Sequence, residues 1–146
     1  MTAITVANAL SASQGNLWTL IKTDATVLSY TKNVLDGVPI GLTKGTGFPY
    51  VIVPTPTIDQ GEWATFSKRN EYLVFNIEVY DRKESVLRSL CDAIRNVCET
   101  NRVLFATSNG MYQYTNTSTS MSYMVDDDNS VVYNYTITLR YLWWDC

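Results

Sequence analysis

The densest group of possible metal ligands in the sequence is an uninterrupted polar run, Asp126-Asp127-Asp128-Asn129. Clustered carboxylates can bind Mg²⁺ or Ca²⁺, or share acid–base work. This run lacks the spaced D-x-D-x-D-G pattern and the distant Glu of a calcium loop. Adjacent residues of a hairpin also point to alternate sides, so three consecutive Asp side chains rarely converge. We therefore interpret the run as a solvated acidic turn that keeps strand edges from pairing with other chains, with no metal bound.

Other catalytic chemistry is restricted by residue types that the chain lacks. Histidine is absent, which removes the commonest general base and excludes any Ser–His or Cys–His pair. The glycine-rich stretch 41–47 lacks the Gly-Lys-Ser/Thr ending of a phosphate loop. Cys91 and Cys98 share one predicted helix stripe, too far apart to bridge each other, and are interpreted as buried free thiols. The sequence therefore predicts no catalytic site and no cofactor.

Length and composition indicate a single domain over residues 1–146. The net charge of −3 provides no basic footprint for direct nucleic-acid recognition. No apolar run approaches the roughly 18–20 residues of a membrane span, and no basic leader follows Met1, so we expect a chain made in the cytosol. The ten tyrosines fit two interpretations, because tyrosine is enriched in protein interfaces and is also a good strand former.

A strand followed directly by a helix forms the predicted core. Tyr72–Asp81 alternates with a period of two, which is typical of a strand with one apolar face. The period then becomes helical, and Asp81 with Glu84 resembles a capping box that would start this helix. We expect the helix, over residues 83–100, to pack on one sheet face. The residues predicted for that face are Leu73, Phe75, Ile77, Val79, Ile137 and Leu139.

The remaining elements follow from the same periodicities and from turn signals. Residues 4–22 are predicted to be a helix with Ile4, Ala7, Leu10, Leu17 and Ile21 on its apolar face, and Asp24 is predicted to cap a second short helix. Residues 55–69 are interpreted as a loop, or as the arm of a long hairpin. Extended segments are predicted over 33–40, 48–54, 103–106, 111–125 and 131–144. This order predicts the α+β class, with a mixed or antiparallel sheet and helices packed on one face.

Two segments are candidate contact surfaces. The 55–69 segment places aromatic side chains among polar ones and could contact a partner, although Trp63 could instead fill the edge of the core. The first strand of the C-terminal hairpin is too polar to bury an apolar face and is unstable alone. It could be covered by a second copy or by another protein, or it could be a solvated edge strand. The candidate contact residues are Asp59, Trp63, Phe66, Tyr112, Tyr114, Asp126, Asp127 and Asp128.

Several segments together resemble the tail terminator, or tail completion, proteins of long-tailed bacteriophages. These are LIKTDATVLSY (20–30), VLDGVP (34–39), FPYVIVP (48–54), the strand and helix over 72–97, and the strand over 131–143. The most typical part is a P-Y-V-x-V strand, then a strand ending in V-Y-D-R, then a helix with V-x-x-L-x-x-x-I. The resemblance implies a small α+β domain, six copies of which form a ring on the finished tail tube.

That resemblance also implies a role and partners. The ring would stop tube growth and present a surface to the head connector, so the partners would be further copies of the chain, the tail tube protein and the head–tail connector protein. The chain would be a structural part of the virion tail or neck, with no enzymatic activity and no membrane. Two alternatives stay open: another neck, connector or tail-tube subunit, and a small cytosolic binding module that uses Trp63, Phe66 and the tyrosines.

Overall fold

Helices and one mixed sheet make up the part of the chain that the computed structural model describes, which is residue 4 and residues 6–37, 48–65, 68–109, 111–125, 129 and 131–144. The helices there are α1 (Ala9–Thr23), α2 (Ala25–Tyr30), α3 (Glu84–Thr100) and α4 (Arg102–Asn109). The strands are β1 (Val34–Leu35), β2 (Tyr50–Ile52), β3 (Thr57–Thr65), β4 (Lys68–Asp81), β5 (Tyr112–Val125) and β6 (Val131–Trp144). Five strands run in the order β1-β2-β4-β6-β5, and β3 pairs with β4. The predicted α+β class is confirmed.

Strand β4 has two different partners along one of its edges. β3 pairs with its first half, from Lys68 to Val74, and β2 pairs with Tyr80, Val79 and Glu78 near its end. Its other edge pairs antiparallel with β6 over the whole of β4 from Asn70 onward. The 55–69 segment is therefore a hairpin arm, which was one of its two sequence interpretations, and the loop interpretation is wrong. Its mostly polar side chains show no apolar alternation in the sequence, and backbone pairing with β4 holds the segment as a strand.

The core lies between the sheet and α3. All six predicted core positions of β4 and β6 are buried, and the apolar stripe of α3 is buried against them. Phe75 and Tyr141 meet edge to face, with ring centroids 5.9 Å apart, and Phe105 of α4 approaches Tyr141 at 5.8 Å. Aromatic pairs in this arrangement add to the free energy gained by burial alone. The buried stripe of α3 consists of Leu87, Leu90, Cys91, Ala93, Ile94, Val97 and Cys98.

The prediction of an extended segment over 103–106 is wrong, because these residues belong to α4. The helix begins at Arg102, and its Phe105 amide donates to the Asn101 carbonyl at 3.0 Å. Four residues are too few to separate a period of two from a helical period. Tertiary contacts decide the conformation, since only as a helix does this segment bury Phe105 while Val103 and Leu104 stay exposed.

Helix α1 begins later than predicted and buries only part of the predicted apolar face, since Leu17 and Ile21 are buried as expected. It begins at Ala9, and Leu10, which was expected on the apolar face, is exposed. Small and polar side chains such as Ala12, Ser13 and Asn16 are buried on this helix, and their small size lets α1 approach the sheet closely. Two hydrogen bonds fix that approach: Gln14 Nε2 donates to the Val53 carbonyl, and Trp18 Nε1 donates to the Val34 carbonyl, both at 3.0 Å. The buried residues of α1 are Ala9, Ala12, Ser13, Asn16, Leu17 and Ile21.

The two predicted helix caps differ in outcome. Asp24 caps α2 as expected, since its Oδ2 accepts from the Val27 amide at 3.0 Å. Asp81 does not cap α3. It still belongs to β4, its Oδ1 accepts from the Arg82 amide at 2.8 Å, and the cap position is Lys83. The capping-box prediction placed the cap of α3 two residues too early, because the strand continues through Asp81.

Replacing Asp24 with Ala tests the cap. We expect the free energy of unfolding to fall by about 1 kcal/mol, because the change leaves an N-terminal amide of α2 without its acceptor. The measurement is urea denaturation followed by circular dichroism. Asp36→Ala is the matched control, since it removes an exposed carboxylate from the turn after β1 and should change stability by less than about 0.5 kcal/mol. Equal losses in the two variants would contradict the capping role.

Candidate assembly surface

The structure describes some of the predicted contact residues and not others. Asp59 is exposed on β3 opposite Tyr72, and Tyr112 is exposed at the start of β5 opposite Leu142. Four further candidates, Phe66, Asp126, Asp127 and Asp128, lie outside the described residues, as does the whole glycine-rich stretch 41–47. Trp63 and Tyr114 are described only as backbone positions of β3 and β5. The contact role of all eight stays a prediction.

Strand β5 lies at the edge of the sheet. Among the described strands it pairs with β6 alone, so its other backbone edge faces away from the sheet. The pairing is shifted between Gln113 and Ser118 and is regular from Ser118 to Val125. A long, regular and unpaired edge is a template on which another chain can pair. The predicted hairpin of two long strands is confirmed, and β5 is the strand of that hairpin that is open to a partner.

The outer end of this hairpin carries an apolar surface that sequence reasoning missed. Met121, Tyr123 and Val125 are 49%, 66% and 62% exposed, and Val131 opposite Val125 is 37% exposed. We call these four residues the tip shelf. Cross-strand pairing puts them on the face of the sheet that carries the helices, beyond the point where helices cover it. The sequence does contain a pattern that could have indicated this surface, because apolar residues occupy every second position from Met121 to Val125.

Three of the four tip-shelf residues, Met121, Tyr123 and Val125, belong to a long uncharged part of the chain, and the acidic run Asp126–Asp128 separates them in sequence from Val131. No Asp, Glu, Lys or Arg occurs between Val103 and Val125. Charged side chains are instead found on the exposed side of α3, at Arg88, Asp92, Arg95 and Glu99. Burying an unpaired charge costs far more free energy than burying a neutral side chain. Covering β5 therefore carries a smaller desolvation cost than covering α3.

The sheet face without helices has a different chemical character. At its centre Thr138 Oγ1 donates to Asn76 Oδ1 at 3.0 Å, and the Arg140 guanidinium lies 4.2 Å from the centre of the Tyr72 ring. Among the described side chains, apolar burial on this face is found at one end, where Ile52, Tyr80 and Val132 form a small cluster with Phe48 and Tyr50. This face is thus mostly polar and internally bonded, which makes the tip shelf the stronger candidate for contact.

The two described thiols are poor nucleophiles in the folded protein. Cys91 and Cys98 are both buried and free, as predicted. Burial raises the pKa of each thiol to about 12, because the apolar core disfavours the thiolate. Thiols react mainly as thiolates, so both are unreactive near neutral pH. Among the described residues no group of three His, Cys, Asp or Glu side chains is placed to hold a metal ion, and no helix is long and apolar enough to cross a membrane.

Comparison with known proteins finds a solved structure of the same fold. No protein-family model matches the sequence, and neither does any curated protein sequence. Among solved structures the chain is similar to a chain from the virion of a native gene transfer agent particle. The match has a TM-score of 0.61 at 12% sequence identity and covers 92% of this chain and 96% of the other. The two chains therefore share one fold over nearly their whole lengths.

Proposed function

We propose that the protein is a structural component of a phage-like virion and acts as a tail terminator. Six copies would form a ring at the head-proximal end of the tail tube, stop its growth and join the tail to the head connector. The observation that carries this proposal is the fold shared with a virion chain over 92% of this sequence. The resemblance of the sequence to tail terminators points to the same kind of particle.

The surfaces of the molecule support an assembly role. The edge of β5 that pairs with no described strand, and the apolar tip shelf beside it, are of the kind that another protein covers. The exposed Asp59 and Tyr112, with Trp63, Phe66, Tyr114 and the acidic run Asp126–Asp128, are proposed to contact the tube or connector protein. In this role the chain works by surface complementarity, and it uses no cofactor and performs no catalysis.

Native mass spectrometry over a range of protein concentrations tests the ring. We expect a closed species of six copies of the 16.5 kDa chain, with few intermediates, because a ring gains one more contact when it closes. An open-ended series of masses would contradict a terminator and favour a tube subunit. A monomer at every concentration would contradict self-assembly and favour the small binding module.

A further inference from the structure

Three of the described strands, β1, β3 and β5, pair with a described strand on one side only, and two of the three have protected outer edges. β1 is two residues long, and the Val34 carbonyl on its outer side accepts a hydrogen bond from Trp18 Nε1 at 3.0 Å. β3 carries two acidic residues, Asp59 and Glu62, and its pairing with β4 shifts register twice. Short strands, charges and irregular pairing are devices that keep an edge from pairing with another chain.

The outer half of β5 carries none of these devices. From Ser118 to Val125 its pairing with β6 is regular, and the whole strand contains no charged residue and no proline. Every second residue of a regular edge strand directs its amide and carbonyl away from the neighbouring strand. Groups at this spacing are matched by the backbone of another extended chain, so an unprotected edge is a template for strand addition.

We propose that β5 binds an extended segment of a partner protein, which adds antiparallel to Ser118–Val125 as a further strand of the sheet. This inference takes its partner from the proposed assembly function, on which it rests, and names the contact that the partner makes. The protected edges of β1 and β3 direct the addition to β5.

The side chains of β5 define the chemistry of that segment. Met121, Tyr123 and Val125 are exposed at every second position on the helix side of the sheet, whereas Ser120 and Ser122 are exposed on the other face. A strand beside β5 places its own alternate side chains next to these two sets. The segment should therefore alternate between apolar and polar residues. It should carry no charge in its middle, because β5 contains no charge that could pair with one.

A basic residue is expected at one end of the segment. The acidic run Asp126–Asp128 directly follows Val125 in the sequence, and an antiparallel segment has its amino-terminal end at this end of β5. Opposite charges at the rim of a contact steer association and fix its register. The segment that fits β5 best is thus an alternating strand that begins with Lys or Arg.

Hydrogen–deuterium exchange of the full chain tests the strand addition. The probe is a synthetic peptide in which Val and Thr alternate after an amino-terminal Lys. Its matched control has the same sequence with every central amide N-methylated, so it keeps the side chains and loses the backbone donors. Saturating probe is expected to slow exchange in residues 118–125 and to leave β3 unchanged, and the control peptide should slow neither. A probe that slows no exchange in β5, or a control peptide that acts as strongly as the probe, overturns the proposal.

Two protein variants locate the contact. Tyr123→Lys places a charge among the exposed apolar side chains of β5 and is expected to weaken binding of the probe by about tenfold. Ser89→Lys adds the same charge to the exposed side of α3 and should leave binding unchanged. Equal weakening in the two variants would contradict a contact at β5.

Ring formation is followed separately by native mass spectrometry, which keeps the two proposals distinguishable. A six-copy species that binds no probe overturns the strand addition and leaves the terminator function standing. A chain that binds the probe at β5 but never forms the ring supports the strand addition and contradicts the terminator.

Discussion

Replacing Phe75 with Ala is expected to lower the free energy of unfolding by about 3–5 kcal/mol. Phe75 is fully buried in the middle of β4, opposite Leu139 and edge to face with Tyr141. The change removes apolar area from the core, leaves a cavity that α3 and the sheet can only partly close, and ends an aromatic contact. A loss of this size is a large fraction of the stability of a typical domain.

The neighbouring residue provides the control. Asn76 lies on the opposite face of β4, is exposed and accepts one hydrogen bond from Thr138. Asn76→Ala should therefore cost about 1 kcal/mol or less. Both variants are measured by urea denaturation with circular dichroism and tryptophan fluorescence. If the two losses were similar, the assignment of the faces of β4, and with it the place of α3, would be wrong.

Stability is also expected to fall steeply above about pH 9. The folded protein holds the Cys91 and Cys98 thiols at a pKa of about 12, whereas in the unfolded chain they ionise near 9. Between these values the unfolded state loses protons that the folded state keeps, so rising pH favours unfolding. Each thiol contributes about 1.4 kcal/mol per pH unit in that window, and the pair contributes roughly 4 kcal/mol by pH 10.5. Below pH 9 both thiols are protonated in the folded and the unfolded state, so the free energy of unfolding keeps this contribution in full. Burial also raises the pKa of Tyr141, which acts in the same direction.

The measurement is the free energy of unfolding at half-unit steps from pH 7 to 11. The test variant carries Cys91→Ala and Cys98→Ala, and Cys146→Ser is present in both proteins so that oxidation of the third cysteine cannot contribute. The double variant starts from a lower stability but should lose less of it above pH 9. Parallel slopes in the two proteins would show that the buried thiols do not govern alkaline unfolding.

The elements that the sequence predicts best are those with a long, strong period. Residues 72–81 alternate over a whole strand and residues 84–100 keep one helical stripe, so β4, α3 and the core between them follow directly. The shorter elements do not carry enough residues to show a period. Residues 103–106 fit a strand or a helix equally well, and burial of Phe105 decides between them.

The candidate surface was harder to predict because it depends on which strands become neighbours. The polar character of β5 indicated an edge strand, and Asp59 and Tyr112 are exposed, while their contact role stays a prediction. The tip shelf needed more information, since alternation of Met121, Tyr123 and Val125 also fits a buried face. The sheet order places β5 at the edge, and the exposure of its outer end shows that the helices do not cover these residues.

Strand β6 is the last described strand to be synthesised, yet it lies between β4 and β5. Until β6 leaves the ribosome, β5 has no strand beside it and β4 is paired along one edge only. Asn76 must then find Thr138 across a separation of 62 residues, and contacts this distant in sequence form slowly. A nascent chain with two long unpaired strand edges is prone to aggregate. A translational pause just before Val131 should therefore lower the yield of folded protein more than a pause after β6 is complete.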